Sequence, residues 1–126
     1  MAFIIWARNI RVGADPTGKV PTLYNFAGKY VVPVNNFFYE LASDNKDLRN
    51  VSRGLLFYWS FLEENGLAWD DFLLQENIHL NPLYNLPHEI GRAIDNGEIN
   101  RSTAMTFLLS VIDFYEYTSK KMILGR

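Results

Sequence analysis

Arg49 and Arg53 stand four residues apart at the start of an apolar stretch, DLRNVSRGLLFYWSFL, from Asp47 to Leu62. That spacing puts both guanidinium groups on one face of a helix. Leu48, Val51 and Leu55 form a separate apolar stripe over the same turns. Asp47 is a good N-cap, since its carboxylate can accept a free backbone N–H at the helix start. A helix N-terminus flanked by arginines is a natural seat for an anion such as a phosphate. That chemistry suggests nucleic acid. The same two arginines also fit a plain solvated face. A second basic start follows at Arg101, Ser102 and Thr103, with hydroxyls beside a cation.

Other constellations are missing from the sequence. His79 and His88 have no second ligand at metal spacing. His88-Glu89 does not open an HExxH motif, because Arg92 stands where the second histidine belongs. There is no glycine-rich phosphate loop and no GxSxG. Glu63-Glu64 and Asp70-Asp71 are adjacent acids, which do not face each other on a helix. They read as solvated charge. No catalytic residue, metal ligand or cofactor is expected.

The elements that position the basic residues follow from periodicity. Residues 47–62 read as a central helix whose last nine, from Gly54 on, are apolar almost all round. Such a helix is buried on most sides. Asn65-Gly66 should end it. Before it, Pro33 opens a helix with Val34, Phe37, Phe38 and Leu41 on one core face, ending near Ser43. Asp44-Asn45-Lys46 is the connecting loop. After it, Trp69 to Leu74 reads as a short helical turn and Gln75 to Tyr84 as irregular. Asn85-Leu86-Pro87 then starts a helix, with Leu86, Ile90 and Ile94 inward, that ends at Asn96-Gly97. The last helix is expected over 102–119. Met105, Leu108, Leu109, Ile112 and Tyr115 would be its core stripe, and Thr106, Ser110 and Asp113 its polar face. Residues 1–32 read as a β-prone arm. Ile4, Trp6, Ile10 and Val12 share one alternation, and Asp15-Pro16-Thr17-Gly18 is a turn signal. The arm is either a hairpin or an extended tail. Residues 120–126 (KKMILGR) look like the start of a linker. The expected fold is all-α, a four-helix bundle with a β-prone N-terminal arm.

The chain's 126 residues fit one domain, and 48% hydrophobic residues are enough for a real core. It has no cysteine, which fits a reducing cytoplasm. No apolar run approaches the roughly 20 residues that cross a bilayer. The opening MAFIIW is too short, and lacks the basic leader, to be a signal peptide. The net charge of −2 argues against nucleic acid, but its distribution argues for it. From Gly54 to Gly91 there are six acids and no base. The rest of the chain holds all 12 bases and 8 acids. With the acids at one pole, the other can be basic.

Three segments resemble the N-terminal core-binding domain of tyrosine recombinases, the phage-integrase family. Val34 to Leu41 (VNNFFYEL) is similar to that family's first helix. Leu55 to Trp69 (LLFYWSFLEENGLAW) resembles its second, in which aromatics precede Phe-Leu and a Gly-Leu-x-Trp turn follows. Ser102 to Tyr117 (STAMTFLLSVIDFYEY) resembles its last, with Ser-Thr at the start and Phe-Tyr-x-Tyr near the end. The order and spacing of the three carry the resemblance over roughly residues 33–119. The leading arm also resembles one group of these integrases, in which a short β segment precedes the helices.

The resemblance implies a SAM-like bundle that clamps double-stranded DNA opposite a catalytic domain. It places the DNA contacts at the starts of the second and last helices: Lys46, Arg49, Asn50 and Arg53, then Arg101, Ser102, Thr103 and Thr106. Some positions depart from the family. Asp47 stands where threonine is frequent, Val51 where an aromatic is frequent, and arginines are frequent near Thr106 and Phe107. These departures remove positive charge. The family's His-x-x-Arg is absent, since His79 and His88 are followed at that spacing by Pro82 and Gly91. None of the seven tyrosines is placed as its nucleophile. The expected function is thus a DNA-binding module of a site-specific recombinase that cuts no DNA by itself. Its partners would be DNA, the catalytic domain and other protomers. The alternative is a helical protein-interaction module that binds no DNA, with the acidic segment and the arm as its surfaces.

Overall fold

The computed structural model describes residues 2–8, 19–44, 46–70 and 82–124. Two strands, β1 (Phe3–Arg8) and β2 (Lys19–Tyr24), precede four helices: α1 (Val32–Ser43), α2 (Arg49–Asn65), α3 (Pro82–Asp95) and α4 (Arg101–Leu124). The fold is thus mostly helical, with a small antiparallel sheet. Of the two forms open to the N-terminal segment, the hairpin is observed, with Phe3 opposite Tyr24 and Trp6 opposite Pro21. The expected turn at Asp15–Gly18, residues 71–81, and Ile10, Val12 and His79 lie outside the described residues.

Pro21 is tolerated inside β2 because of its parity. Leu23, two residues on, sends its N–H and C=O away from β1, toward Asn35 and Val31. By the two-residue period, the N–H that Pro21 lacks would also face away from β1. Asn35 lies in the first turn of α1 and is buried. Its Oδ1 accepts the Leu23 N–H at 2.7 Å, and its Nδ2 donates to the Leu23 carbonyl at 3.0 Å. The side-chain amide thereby acts as a short third strand. Ala2, Val20, Leu23 and Val31 join the same core as the helices. At the turn after β2, the Glu63 carboxylate of α2 accepts the Phe26 N–H at 2.8 Å.

The expected core face of α1 is observed. Val34, Phe37 and Phe38 are buried and Leu41 is half-buried. No residue of α2 from Gly54 to Leu62 is exposed. Gly66 closes α2 in the left-handed conformation, at φ 63°. Its next neighbour, Leu67, donates its N–H to the Leu62 carbonyl.

Three expectations are corrected. The third helix begins at Pro82, ahead of the Asn85-Leu86-Pro87 start, and Pro87 lies inside it. Proline reads as a start signal, yet tertiary packing of Leu86, Ile90 and Ala93 carries the helix across it. In α4 the core stripe is rotated. Ala104, Phe107, Ser110, Val111, Phe114 and Tyr115 are buried and Leu108 is half-buried, while Met105, Leu109 and Ile112 are exposed. Ser110, expected on the polar face, is therefore inside, with its hydroxyl donating to the Thr106 carbonyl. The reason is close approach. Gly54 of α2 meets α4 at the Ser110 side chain and the Phe107 backbone, and this contact needs small side chains at 54 and 110. α4 also runs past Ser119 to Leu124, through the segment expected to be linker.

Phe114 is the hub of the aromatic core. Its ring meets Phe37 of α1, Trp59 of α2 and Trp69 of the following turn at 5.5–6.3 Å. Tyr115 donates its hydroxyl hydrogen to the Trp69 carbonyl. The Tyr58 hydroxyl, 2.6 Å away, must then be the donor to Tyr115. Burial, and then the neighbouring Tyr115, push the Tyr58 phenol far above its usual range. Both rings stay neutral members of the core.

Candidate nucleic-acid interface

The two basic helix starts differ from bare cationic ends. At the start of α2, Asp47 stands just outside the helix, and Leu48 occupies the capping position without a side-chain bond. The Asp47 Oδ1 accepts the Arg49 N–H at 2.9 Å, so the carboxylate does hold one backbone donor of the first turn. It also binds the Arg49 guanidinium, with Nη2 to Oδ2 at 2.7 Å. The helix terminus expected to seat an anion is therefore already occupied by the chain's own carboxylate. The Arg49 hydrogen bonds hold the Asp47 carboxyl down at about 2, well below the usual carboxylate range. The pair persists at any ordinary pH. It is fully exposed, so solvent screening leaves it weak in stability, but it offsets the Arg49 charge locally.

Arg53 lies one turn further along the same face. Its guanidinium carbon sits 5.8 Å from the centre of the Phe107 ring of α4. This contact fixes the cation across the α2–α4 seam without neutralising it. Arg53 then lines three grooves: one of about 380 Å³, walled by Phe57, Phe107 and the charged Glu64, Glu89, Arg92 and Glu98, and two at the basic helix starts. Of these two, one, of about 810 Å³, is walled by Ile4 and Trp6 of the hairpin and by Arg49, Asn50, Ser52 and Leu56. The other, of about 650 Å³, is walled by the α3–α4 loop (Gly97, Glu98, Ile99 and Asn100) with Ile94, Arg101 and Thr103.

The start of α4 resembles that of α2 in one respect. The Asn100 side chain accepts the Thr103 N–H at 2.8 Å and so caps the helix. Glu98 is held by Arg92, which also binds Glu89. Arg101 has no ion pair among the described residues and is exposed. Lys46 is likewise exposed and unpaired, in the loop before α2.

Of the eight residues expected at the interface, Arg49, Asn50 and Arg53 share one groove. Arg101 and Thr103 share the next, joined to it by Arg53. Lys46, Ser102 and Thr106 line neither. The Thr106 hydroxyl donates to the Ser102 carbonyl at 3.1 Å, inside its own helix. Sequence reasoning missed Trp6 and Phe107 as members of this region. The alternation of Ile4 with Trp6 was the available sign for the first. Nothing in the sequence pointed to the second, because the Arg53–Phe107 contact depends on how α2 and α4 cross.

Charge is segregated along α2. Lys46 and Arg53 lie near its start, and Glu63 and Glu64 at its end, across a helix of about 25 Å at 1.5 Å per residue. Asp71 and Glu76 of the acidic segment lie outside the described residues. Among the described residues, no group of acids and histidines is arranged to hold a metal. No helix there is long and apolar enough to cross a membrane. No protein-family model, curated protein or solved structure matches the chain.

Proposed function

We propose that the chain is a duplex-DNA-binding module, a SAM-like core-binding domain of the tyrosine-recombinase kind, whose recombination chemistry belongs to a separate catalytic domain. The observation that carries this reading is Arg53. It forms a common wall between the groove at the start of α2 and the groove at the start of α4, so two basic helix starts act as one surface. Arg53 and Arg101 would meet phosphates, and Lys46, exposed in the loop before α2, would add a third cation. Thr103 adds a hydroxyl, and Asn50 is the side chain best able to approach a base edge. Most such contacts position a protein on DNA rather than read its sequence.

Fluorescence anisotropy with a random-sequence duplex at several salt concentrations tests this. With Lys46, Arg53 and Arg101 on phosphates, the log–log salt slope is expected near about −3. Arg53→Ala should lower its magnitude by about one. A slope near zero would overturn the proposal. It would favour a helical protein-interaction module, for which the exposed Met105, Leu109 and Ile112 are the specific observation.

The Asp47–Arg49 pair makes a further prediction in the opposite direction. Asp47→Asn releases a fourth cation and removes a like charge from the approaching phosphates. Binding at low salt should tighten, and the slope should steepen toward about −4. Unchanged binding would mean that the start of α2 does not face the duplex.

A further inference from the structure

The exposed face of α4 is apolar in the middle and oppositely charged at its two ends. Met105, Leu109 and Ile112 are 58%, 52% and 42% exposed, and half-buried Leu108 lies beside them. Successive positions place Arg101, Met105, Leu108 or Leu109, Ile112 and Glu116 on one stripe. This stripe points away from the side that buries Phe107, Val111 and Phe114. Arg101 and Glu116 are both exposed, and neither has an ion pair among the described residues.

The stripe is symmetric about the point between Leu108 and Leu109. Met105 and Ile112 are equally spaced on either side of it. So are Arg101 and Glu116, which are about 22 Å apart along the axis at 1.5 Å per residue. A stripe with this symmetry complements itself when turned end to end. A two-fold interface needs a surface of this kind, in which residue i meets j and j meets i.

We propose that a second copy of this chain packs on this face, with the two α4 helices antiparallel. Leu108 and Leu109 lie at the two-fold axis. Met105 of each copy meets Ile112 of its partner, and Arg101 of each meets Glu116 of its partner. The pairing buries an apolar strip that is otherwise in water. It also places two ion pairs at the rim, where they set register and direction more than affinity. A parallel arrangement would instead put Arg101 against Arg101. The contact is only about four turns long, so the association is weak and shows at high concentration. It does not rest on the DNA-binding reading, and its test uses no DNA.

Sedimentation equilibrium of the whole chain at low ionic strength, from ~10 μM to ~1 mM, should show a monomer–dimer equilibrium. Leu109→Glu should abolish the dimer. Arg101→Glu and Glu116→Arg should each weaken it about tenfold or more by placing like charges face to face. The double variant Arg101→Glu/Glu116→Arg should restore it. These positions are on the surface, and circular dichroism of each variant shows that the helices remain. A monomer throughout the range would overturn the proposal. So would a dimer that survives Leu109→Glu, or single reversals that bind like the parent.

Discussion

Replacing Gly54 by leucine is expected to lower stability by about 3 kcal/mol, near the upper end of the overpacking range. For a domain of this size, that corresponds to a fall of roughly 10–15 °C in melting temperature. A Cβ at residue 54 would stand 3.1 Å from the Ser110 Cβ and 3.2 Å from the Phe107 Cα. The second contact is to backbone, which cannot rotate aside. Leucine adds three more carbons in the same direction, so α2 and α4 must separate. Alanine is a different case. Its single methyl costs strain but gains about 1 kcal/mol of helix propensity over glycine, and the net change should be within about 1 kcal/mol. Thermal melts of the three proteins check this series. A Gly54→Leu protein that melts like the parent would show that the helices do not meet there. The variant also bears on the binding surface, because Arg53 and its Phe107 ring lie across the same seam.

Asn35→Ala is expected to cost about 2–3 kcal/mol, chiefly by leaving the buried Leu23 N–H without an acceptor. The Leu23 carbonyl fares better, because it still accepts the Val31 N–H at 3.1 Å. The damage should therefore be local in a way that can be measured. Hydrogen exchange at the Leu23 amide should accelerate well beyond the global change seen in α2 and α4. Denaturant unfolding gives the free-energy difference, and a Leu23 amide that remains protected would refute the assignment. Methyl-for-amide replacement also loosens the hairpin's hold on α1, and with it the groove wall formed by Ile4 and Trp6.

How much of this was legible in the sequence depended on whether the signal was local. The ends of α1 and α2 were readable because Pro33 and Gly66 act through their own backbone. The pair Arg49 and Arg53, and the cation at Arg101, were readable from residue type and spacing. The core face of α4 was not. That helix is apolar on two sides, and three large aliphatic residues, Met105, Leu109 and Ile112, lie on the exposed one. What selects the other face is the fit of Ser110 and the Phe107 backbone against Gly54, a matter of closeness rather than hydrophobicity. Asn35 was illegible for a related reason. In VNNFFYEL it reads as one of two polar residues between apolar ones, and its role depends on Leu23 arriving beside it. The Asp47 carboxylate was readable as a helix-start acceptor. Its grip on the Arg49 guanidinium was not.

The Tyr58–Tyr115 hydrogen bond joins residues 57 positions apart, and this separation has a consequence for the order in which the protein is made. When α2 leaves the ribosome, the helix that covers its Gly54, Tyr58 and Phe61 side does not yet exist. About fifty further residues must be added first, which takes roughly 3–10 s at ordinary rates of synthesis. Through that interval the nascent chain carries an aromatic helix face with nothing to bury it. It is then a natural client for a chaperone at the exit tunnel, and a chain interrupted before α4 would remain one.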